Sequence, residues 1–446
     1  MRIVILGAAE SGVGAAELAH LKGNEVFVSD MGTIRERYKA ELDRLGILWE
    51  EGKHTEELIL NADEIIKSPG IPDSAPMVRK ARERGIPIIN ELEYAARYSK
   101  ARTLCITGSN GKTTTTSLIF HLLKKAGYDV ALAGNIGHSM AQQVARGEHD
   151  WYVIEISSFQ LDNMYDFRAD IAVLMNITPD HLDRYDFKMQ NYVDSKMGIL
   201  RNQTAQDTFI YWMQDEHIEK ELPKYQPECR ALPFSDHVTD RAAGWIEGNQ
   251  MHILSPQPFA MDINQLSLSG KHNLRNCMAA AMAALAAGVD EETIREGLKT
   301  FPGVEHRMEN AGVHNGVTYI NDSKATNVDA CYCALDSMTT PVVLIVGGKD
   351  KGNDYSQILP LVRQKCRALV FLGADNTKLK EFFAETGISI ADTHSMHECM
   401  DACRALAKEG DTVLLSPCCA SFDLFKNMED RGEQFKTYVR HLISGE

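Results

Sequence analysis

The sequence predicts an α/β protein of three domains, each a mostly parallel sheet flanked by helices. Three observations lead there. Short apolar, β-branched runs recur along the chain, among them Arg2-Ile-Val-Ile-Leu6, Thr103-Leu-Cys-Ile-Thr107, Trp151-Tyr-Val-Ile154 and Val342-Val-Leu-Ile-Val346, and helical spacing follows most of them. Glycine and polar clusters, not hairpin turns, sit at the ends of these runs. At 446 residues the chain is long for one core. The expected domains are 1–98, 99–302 and 303–446, the second break falling at Phe301-Pro302-Gly303.

Composition narrows the function classes. A net charge of −15 argues against a nucleic-acid partner, which needs a basic face. It also means that an anionic substrate must be met by local positive groups. No run of about 18 apolar residues is present, so no membrane span is expected. The opening Met1-Arg-Ile-Val-Ile-Leu-Gly7 is too short for a signal peptide, which points to the cytoplasm. The ten cysteines include no Cys-x-x-Cys pair, and Cys331-Tyr-Cys333 and Cys418-Cys419 are poorly spaced for zinc. They read as small buried apolar residues.

In the first domain the strand Arg2–Leu6 runs into Gly7-Ala-Ala-Glu-Ser-Gly12-Val-Gly14, a helix to about Leu21, a strand Glu25–Ser29, and Asp30. This resembles the opening of a Rossmann unit, with an acid a little over twenty positions after the first glycine. Ala9 stands where the second glycine belongs, which disfavours a dinucleotide. A different nucleotide gripped by Ser11 and Asp30 is the better reading, and a purely structural turn stays open. Further on, Glu64–Lys67 leads into the rigid turn Ser68-Pro69-Gly70-Ile71-Pro72, and Pro87–Asn90 is a short strand. Residues 91–101 read as a polar connecting helix.

The central domain opens on Ile106-Thr-Gly108-Ser109-Asn110-Gly111-Lys112-Thr113-Thr114, between a strand and a helix with Leu118, Ile119, Leu122, Leu123 and Ala126 on one face. Strand, glycine turn, Gly-Lys-Thr and helix make a phosphate cradle: backbone N–H groups crowd phosphate oxygens and the helix N-terminus adds its positive end. Lys112 would reach the β/γ-phosphates and Thr113 would sit on Mg²⁺, although the spacing is G-x-x-G-K, not the usual G-x-x-x-x-G-K. Three later strands end in Gly134-Asn135-Ile136-Gly137, in Glu155-Ile-Ser157-Ser158-Phe159-Gln160, and in Asn176-Ile-Thr178-Pro179-Asp180-His181-Leu-Asp183. Ligands gather at such strand ends, so Asn135, Glu155 and His181 come to the side where Lys112 lies. Glu155, straight after four apolar residues, suits a Mg²⁺ ion that takes oxygen ligands. His181 alone is as readily a bystander. Residues 186–202 read as a helix whose Lys196 is, by default, a surface lysine. Residues 204–270 mix short strands and turns without a motif. An Ala-rich helix from Lys271 to about Gly288 puts Asn273 and Asn276 on one face, as ligand contacts or as capping amides.

In the third domain, Val317–Ile320 ends in Asn321-Asp322-Ser323-Lys324-Ala325-Thr326-Asn327, and Glu305-His-Arg307 precedes it. Strands 342–346, 368–372 and 412–415 end in Gly347-Gly-Lys-Asp-Lys351, Gly373 and Ser416-Pro-Cys-Cys-Ala-Ser421-Phe422-Asp423. The Asp-Ser-Lys-Ala-Thr-Asn cluster offers charge and hydrogen bonds and little for packing.

Together these motifs resemble the Mur ligase family over essentially the whole chain. Thr107–Thr114 is similar to that family's ATP loop, short glycine spacing included, and Gly134–Gly137, Glu155–Gln160 and Asp180-His181-Leu-Asp183 also match. Ile320–Asn327 and Ser416–Asp423 look like the branch of the family that adds D-glutamate. The resemblance implies a Rossmann-like first domain, a central P-loop ATPase-like domain and a Rossmann-like third domain. It implies ATP-driven amide formation in cytoplasmic peptidoglycan precursor synthesis: the carboxylate of UDP-N-acetylmuramoyl-L-alanine is phosphorylated and the amine of D-glutamate attacks the acyl phosphate. By position, Gly108, Ser109, Asn110, Gly111, Lys112, Thr113 and Thr114 match ATP contacts, with Asn273, Asn276, Arg307 and Asp322. Thr113 and Glu155 match Mg²⁺ ligands, and His181 and Lys196 match a second metal site whose lysine is carbamylated. Lys112, Glu155, His181 and Lys196 form the catalytic set. Ser11, Asp30, Ser68 and Gly70 match the uridine-diphosphate pocket, and Asn135, Ser157 and Gln160 match sugar-peptide contacts. Lys324, Thr326, Ser421 and Phe422 match the D-glutamate pocket. Met31 departs from the pattern, standing where a small polar residue can help hold uracil. The implied protein is a monomer with no nucleic-acid or membrane partner. Its rivals are an oxidoreductase using the first domain, a non-catalytic nucleotide-binding module, and a sister ligase adding another amino acid.

Overall fold

Alternation of buried apolar strands with helices builds three sheets. A computed structural model describes residues 1–268 and 270–445. The chain divides into two compact units, the first being Met1–Ser267 with Leu274–Phe301 and the second Leu268–Asn273 with the chain from Pro302 on.

The first unit holds two sheets. One comprises β1 (Arg2–Leu6), β2 (Glu25–Asp30), β3 (Leu48–Glu51), β4 (Glu64–Lys67) and β5 (Ile88–Ile89), in the order β3-β2-β1-β4-β5 and all parallel. Strand order reverses at β1, so the crevice for a ligand lies outside the carboxyl ends of β1 and β4. The other sheet comprises β6 (Arg102–Thr107), β7 (Val130–Gly134), β8 (Trp151–Glu155), β9 (Ile171–Leu174), β10 (Thr208–Trp212), β11 (Arg230–Ser235), β12 (Gly244–Glu247), β13 (Gln250–Ile253) and β14 (Phe259–Asp262). Its order is β14-β13-β12-β11-β10-β9-β6-β8-β7, parallel from β7 to β12 and antiparallel beyond. β6, which carries the glycine loop, lies between β8 and β9. The strand ends bearing Glu155 and Asn176 therefore flank that loop.

Several expectations change here. The stretch 204–270 extends the central sheet by five strands and contains a helix, Glu216–Tyr225, hidden from the sequence by Pro223. Ser269 of that stretch lies outside the described residues. The polar connecting helix read over 91–101 is shortened to Glu91–Ala96 and is buried through Ala95. Its acids are satisfied internally, Glu91 by the Ser139 hydroxyl and the Ala141 N–H, and Glu93 by the N–H groups of Tyr165, Asp166 and Phe167. The helix read over 186–202 is shortened to Met189–Met197, with one 3₁₀ turn after it, because Asp186 and Phe187 adopt φ values of 54° and 55°. The Thr-rich helix Lys112–Lys125 buries Thr113 to Thr116, packing overriding weak propensity. In helix Lys271–Ala287, Cys277 to Ala284 are all buried, as a helix apolar on every side must be.

The second unit is one sheet of β15 (Glu309–His314), β16 (Val317–Asn321), β17 (Val342–Gly347), β18 (Cys366–Leu372), β19 (Ser389–Thr393) and β20 (Thr412–Cys418). The order is β15-β16-β20-β17-β18-β19, with β15 an antiparallel edge. The sequence concealed β15 and β19, whose residues are mostly half-buried or exposed and form no apolar run. All ten cysteines are free thiols, and eight of them are buried. Among the described residues no helix is long and apolar enough to cross a membrane.

Candidate active site

The glycine loop is locked to its neighbouring strand end. The N–H groups of Ser109 and Asn110 donate to the Asn176 carbonyl (2.8 Å) and to Asn176 Oδ1 (2.8 Å), and Asn176 Nδ2 returns a bond to the Asn110 carbonyl. The Ser109 hydroxyl reaches the Thr178 carbonyl at 2.8 Å. Gly111 caps the helix at φ 85°, and a Cβ there would stand 2.5 Å from Asn276 Oδ1. Asn276 itself, 3% exposed, also meets the Thr115 hydroxyl. Gly111→Ala therefore combines left-handed strain with a steric clash. We expect it to lower the urea midpoint by an amount equivalent to roughly 2 kcal/mol; an unshifted midpoint removes this account of the loop.

Lys112 turns back over the loop, its Nζ donating to the carbonyls of Gly108 and Ser109 at 2.8 Å each. Lys196 approaches the same place from helix Met189–Met197. It is not the surface lysine that the sequence alone suggests: it is 2% exposed, and its Nζ donates to Thr107 Oγ1 (3.2 Å) and to the Gly108 carbonyl (2.9 Å). Two lysine nitrogens thus share one carbonyl oxygen. Burial and the neighbouring Lys112 push the Lys196 ammonium well below its ordinary pKa, while Asp180, Glu155 and Asp162 pull weakly the other way.

Glu155 ends β8 and is 1% exposed. Its Oε1 accepts from Asn135 Nδ2 at 2.8 Å, whereas its Oε2 is buried with no hydrogen-bond donor. A carboxylate oxygen left bare in a buried position is costly unless a cation completes it, and Mg²⁺ prefers such oxygens. The residues therefore fit Mg²⁺. No cluster of three or more His, Cys, Asp or Glu side chains suited to a metal occurs among the described residues, so phosphates and Thr113 would have to complete the shell. His181 stands at φ 53°, its ring 3.6 Å from Asp180 and edge-on to Phe159 at 5.1 Å. Ser157 and Gln160 bond to each other in a capping box, Gln160 Oε1 accepting from the Ser157 N–H and hydroxyl.

At the switch point of the first sheet, Asp30 takes the Ala8 N–H and the Gly32 N–H at 2.7 Å each, and the Ser68 hydroxyl donates to the Gly7 carbonyl. Asp30 and Ser68 thus converge on the glycine turn, with Ser11 in the first turn of the following helix. Met31 is 61% exposed and packs no core. The Gly70 carbonyl accepts from Arg184 of the His181 loop at 3.2 Å. Neither Arg184 nor Asn176 was singled out from sequence; a polar residue at a strand end was the signal for Asn176, and Arg184 gave none.

In the second unit, Asp322 directly follows β16 and is buried at 1% exposure, accepting from the Met308 N–H and the Ser416 hydroxyl, with the Arg307 guanidinium 4.0 Å away. Burial raises its carboxyl to about 6 against the pull of Arg307. Arg307 Nε is buried without an acceptor. Lys324 and Thr326 follow on a loop stitched by Lys324 N–H to the His306 carbonyl and Thr326 N–H to the Lys324 carbonyl. Ser421 is buried, while Phe422 beside it is 69% exposed and so free to cover a ligand. Asn273, 6% exposed, falls with this unit.

Known proteins bear on this arrangement. Family models match in three successive stretches: the Mur ligase MurD-like N-terminal domain at residues 1–90, the Mur ligase middle domain at 106–284, and the Mur ligase glutamate ligase domain at 306–419. The UDP-N-acetylmuramoylalanine–D-glutamate ligase of Bacteroides fragilis is 58% identical over 442 residues, 99% of this chain and 100% of that protein. The ligase of the same name from Porphyromonas gingivalis is 56% identical over 443 residues, 99% of this chain and 98% of that one. Among solved structures, the MurF ligase of Thermotoga maritima in complex with ADP is similar with a TM-score of 0.61 at 17% identity, covering 94% of this chain and 96% of that chain. The UDP-N-acetylmuramate-alanine ligase MurC of the same organism matches with a TM-score of 0.61 at 18% identity over 100% of both chains. At these identities the structural matches speak to fold alone.

Proposed function

The chain belongs to the Mur ligase family, and from that premise we propose that it joins D-glutamate to UDP-N-acetylmuramoyl-L-alanine, driven by ATP, in the making of a peptidoglycan precursor. What supports this most directly is the 58% identity along 99% of the chain to a ligase of that name. The carboxylate oxygen of UDP-N-acetylmuramoyl-L-alanine attacks the γ-phosphorus of ATP and the bond to ADP breaks. The neutral amine of D-glutamate then attacks the acyl carbon, phosphate leaves with the C–O electron pair, and the amine gives up a proton.

Catalysis of this kind is positioning and charge stabilisation. The Gly108–Thr114 loop holds the ATP phosphates, and Lys112 swings its ammonium from the loop carbonyls to the transferring phosphoryl group. Asn273, Asn276, Arg307 and Asp322 hold the nucleotide. Thr113 and Glu155 would hold one Mg²⁺, and His181 with a modified Lys196 a second; bound there, the ions would neutralise phosphate charge. The buried Lys196, whose ammonium form burial and Lys112 disfavour, adds as its amine to CO₂: an N–C bond forms, a proton leaves, and the lysine becomes an oxygen donor. Ser11, Asp30, Ser68 and Gly70 take the uridine diphosphate at the switch point, and Asn135, Ser157 and Gln160 orient the sugar-peptide. The three domains run 1–98, 99–302 and 303–446. The chain acts as a monomer in the cytoplasm, where ATP and the nucleotide-linked substrate are made; a single species at the monomer mass by light scattering is the check.

D-Glutamate carries two carboxylates, and Lys324, Thr326, Ser421 and the N–H groups near Phe422 offer charge and donors for them. Each charge-assisted hydrogen bond contributes about 1.5–3 kcal/mol. Phosphate release from ATP, measured with UDP-N-acetylmuramoyl-L-alanine and a panel of amino acids, tests the assignment. Turnover with D-glutamate is expected to exceed that with D-alanine, L-lysine or meso-diaminopimelate by roughly a hundredfold or more. Lys324→Ala should raise the KM for D-glutamate roughly tenfold or more and leave that for ATP little changed. Preference for a dibasic amino acid would overturn the reading.

A further inference from the structure

Arg431 is the largest fully buried side chain of the protein, 1% exposed, among the described residues. It has no carboxylate within ion-pairing distance among those residues. Its three hydrogen bonds go to neutral oxygens: Nε to Ser323 Oγ (3.0 Å), Nη2 to the Ser323 carbonyl (2.8 Å) and Nη1 to the Cys419 carbonyl (3.2 Å). A buried guanidinium normally demands an anion. Here burial has pushed it down to about 10, with Asp423 and Asp322 acting only from a distance.

The two segments it joins are the loop 322–327 after β16 and the turn 419–422 after β20. The same guanidinium lies against Gly348, just past the end of β17, where a Cβ would be 3.3 Å from Nη1. Lys349 N–H in turn donates to the Ala420 carbonyl at 2.8 Å. Ser323 extends the tie, its hydroxyl donating to the Met428 carbonyl at 2.8 Å, one turn before Arg431 on helix Met428–Ser444. A planar fork can hold two separate backbone segments at fixed angles, which a lysine ammonium cannot.

We propose that Arg431 is a positioning residue for the amino-acid substrate: its guanidinium staples the loop bearing Lys324 and Thr326 to the turn bearing Ser421 and Phe422, and its unpaired charge biases the pocket toward a dicarboxylate. The inference rests on the reading that these loops receive D-glutamate. The staple fixes where the donors stand, and the buried charge, far from water's screening, favours an anion at the mouth of the loops.

Steady-state KM values for all three substrates, in the wild-type chain, Arg431→Lys and Arg431→Gln, test it, alongside circular dichroism and urea unfolding. The KM for D-glutamate should rise roughly tenfold in Arg431→Lys and further in Arg431→Gln, with the KM for ATP and for UDP-N-acetylmuramoyl-L-alanine changing less than about twofold. A folded variant whose D-glutamate KM stays within about twofold of wild type overturns the proposal, as does a parallel rise in all three values. Should Arg431→Gln not fold, Arg431→Lys and Ser323→Ala carry the test; the latter keeps the charge, removes one acceptor, and is expected to raise the D-glutamate KM several-fold. If the wild-type chain prefers another amino acid, the substrate reading fails, and the staple stands or falls on the KM for that amino acid.

Discussion

Lys112→Ala is expected to lower turnover by roughly three orders of magnitude while the protein still folds. The side chain is partly exposed, and its Nζ bonds to the Gly108 and Ser109 carbonyls of its own loop. The loop does not depend on it: Asn176 holds Ser109 and Asn110, and Ser109 is tied again to Thr178. Removing the ammonium thus removes charge from the transferring phosphoryl group and little packing. The pattern of the kinetic loss matters. A group that acts on the transition state lowers kcat and kcat/KM together, whereas a group that only binds ATP raises KM. Near-normal kcat in a folded Lys112→Ala protein would refute the catalytic role. Lys112→Arg offers a finer comparison, since its charge is retained on a bulkier planar head that must fit between the same loop carbonyls.

The phosphate loop and the strand ends were legible because each is a local pattern, an apolar run followed at once by glycine or polar residues. Glu155 stood out for the same reason, and its bare Oε2 gives that pattern a physical purpose. Lys196 was not legible from its own neighbourhood. A lysine in a helix is ordinarily a solvent residue, and only the three-dimensional approach of that helix to Thr107 and Gly108 buries it; the family resemblance, not spacing, pointed to it. Arg431 was invisible for a like reason, one cation in a charged helix until Ser323 and Cys419 close around it. The edge strands β15 and β19 and the helix Glu216–Tyr225 escaped because exposure and Pro223 erase the periodicity that sequence reading depends on. The buried acids Glu91 and Glu93 misled in the opposite direction. Their charge suggested only a polar connector, yet both are buried and fixed by N–H and hydroxyl donors from elsewhere in the unit.

Lys196→Ala should abolish turnover to at least the same degree as Lys112→Ala, about a thousandfold or more, and do so without unfolding the protein. The motive is electrostatic. Both lysines donate to the Gly108 carbonyl, so a partly exposed and a buried ammonium group would stand side by side. Like charges at such a distance repel strongly where water does not screen them. Burial and Lys112 resolve the conflict by driving Lys196 toward its neutral amine. A neutral amine is the form that adds to CO₂, and the resulting carbamate reverses the sign of the charge, turning repulsion from Lys112 into attraction. It also supplies an oxygen where Glu155 offers a single bare one. Carbon-13 NMR on protein equilibrated with labelled bicarbonate gives a readout independent of activity: a carbamate carbonyl signal in the wild-type chain, absent from Lys196→Arg. Turnover should fall in buffer stripped of CO₂, and formate or acetate should restore part of the activity of Lys196→Ala by placing a carboxylate in the vacated space. Absence of the labelled signal from the active wild-type protein would sink the carbamate; turnover surviving in Lys196→Ala would show that the buried lysine serves the loop's packing alone.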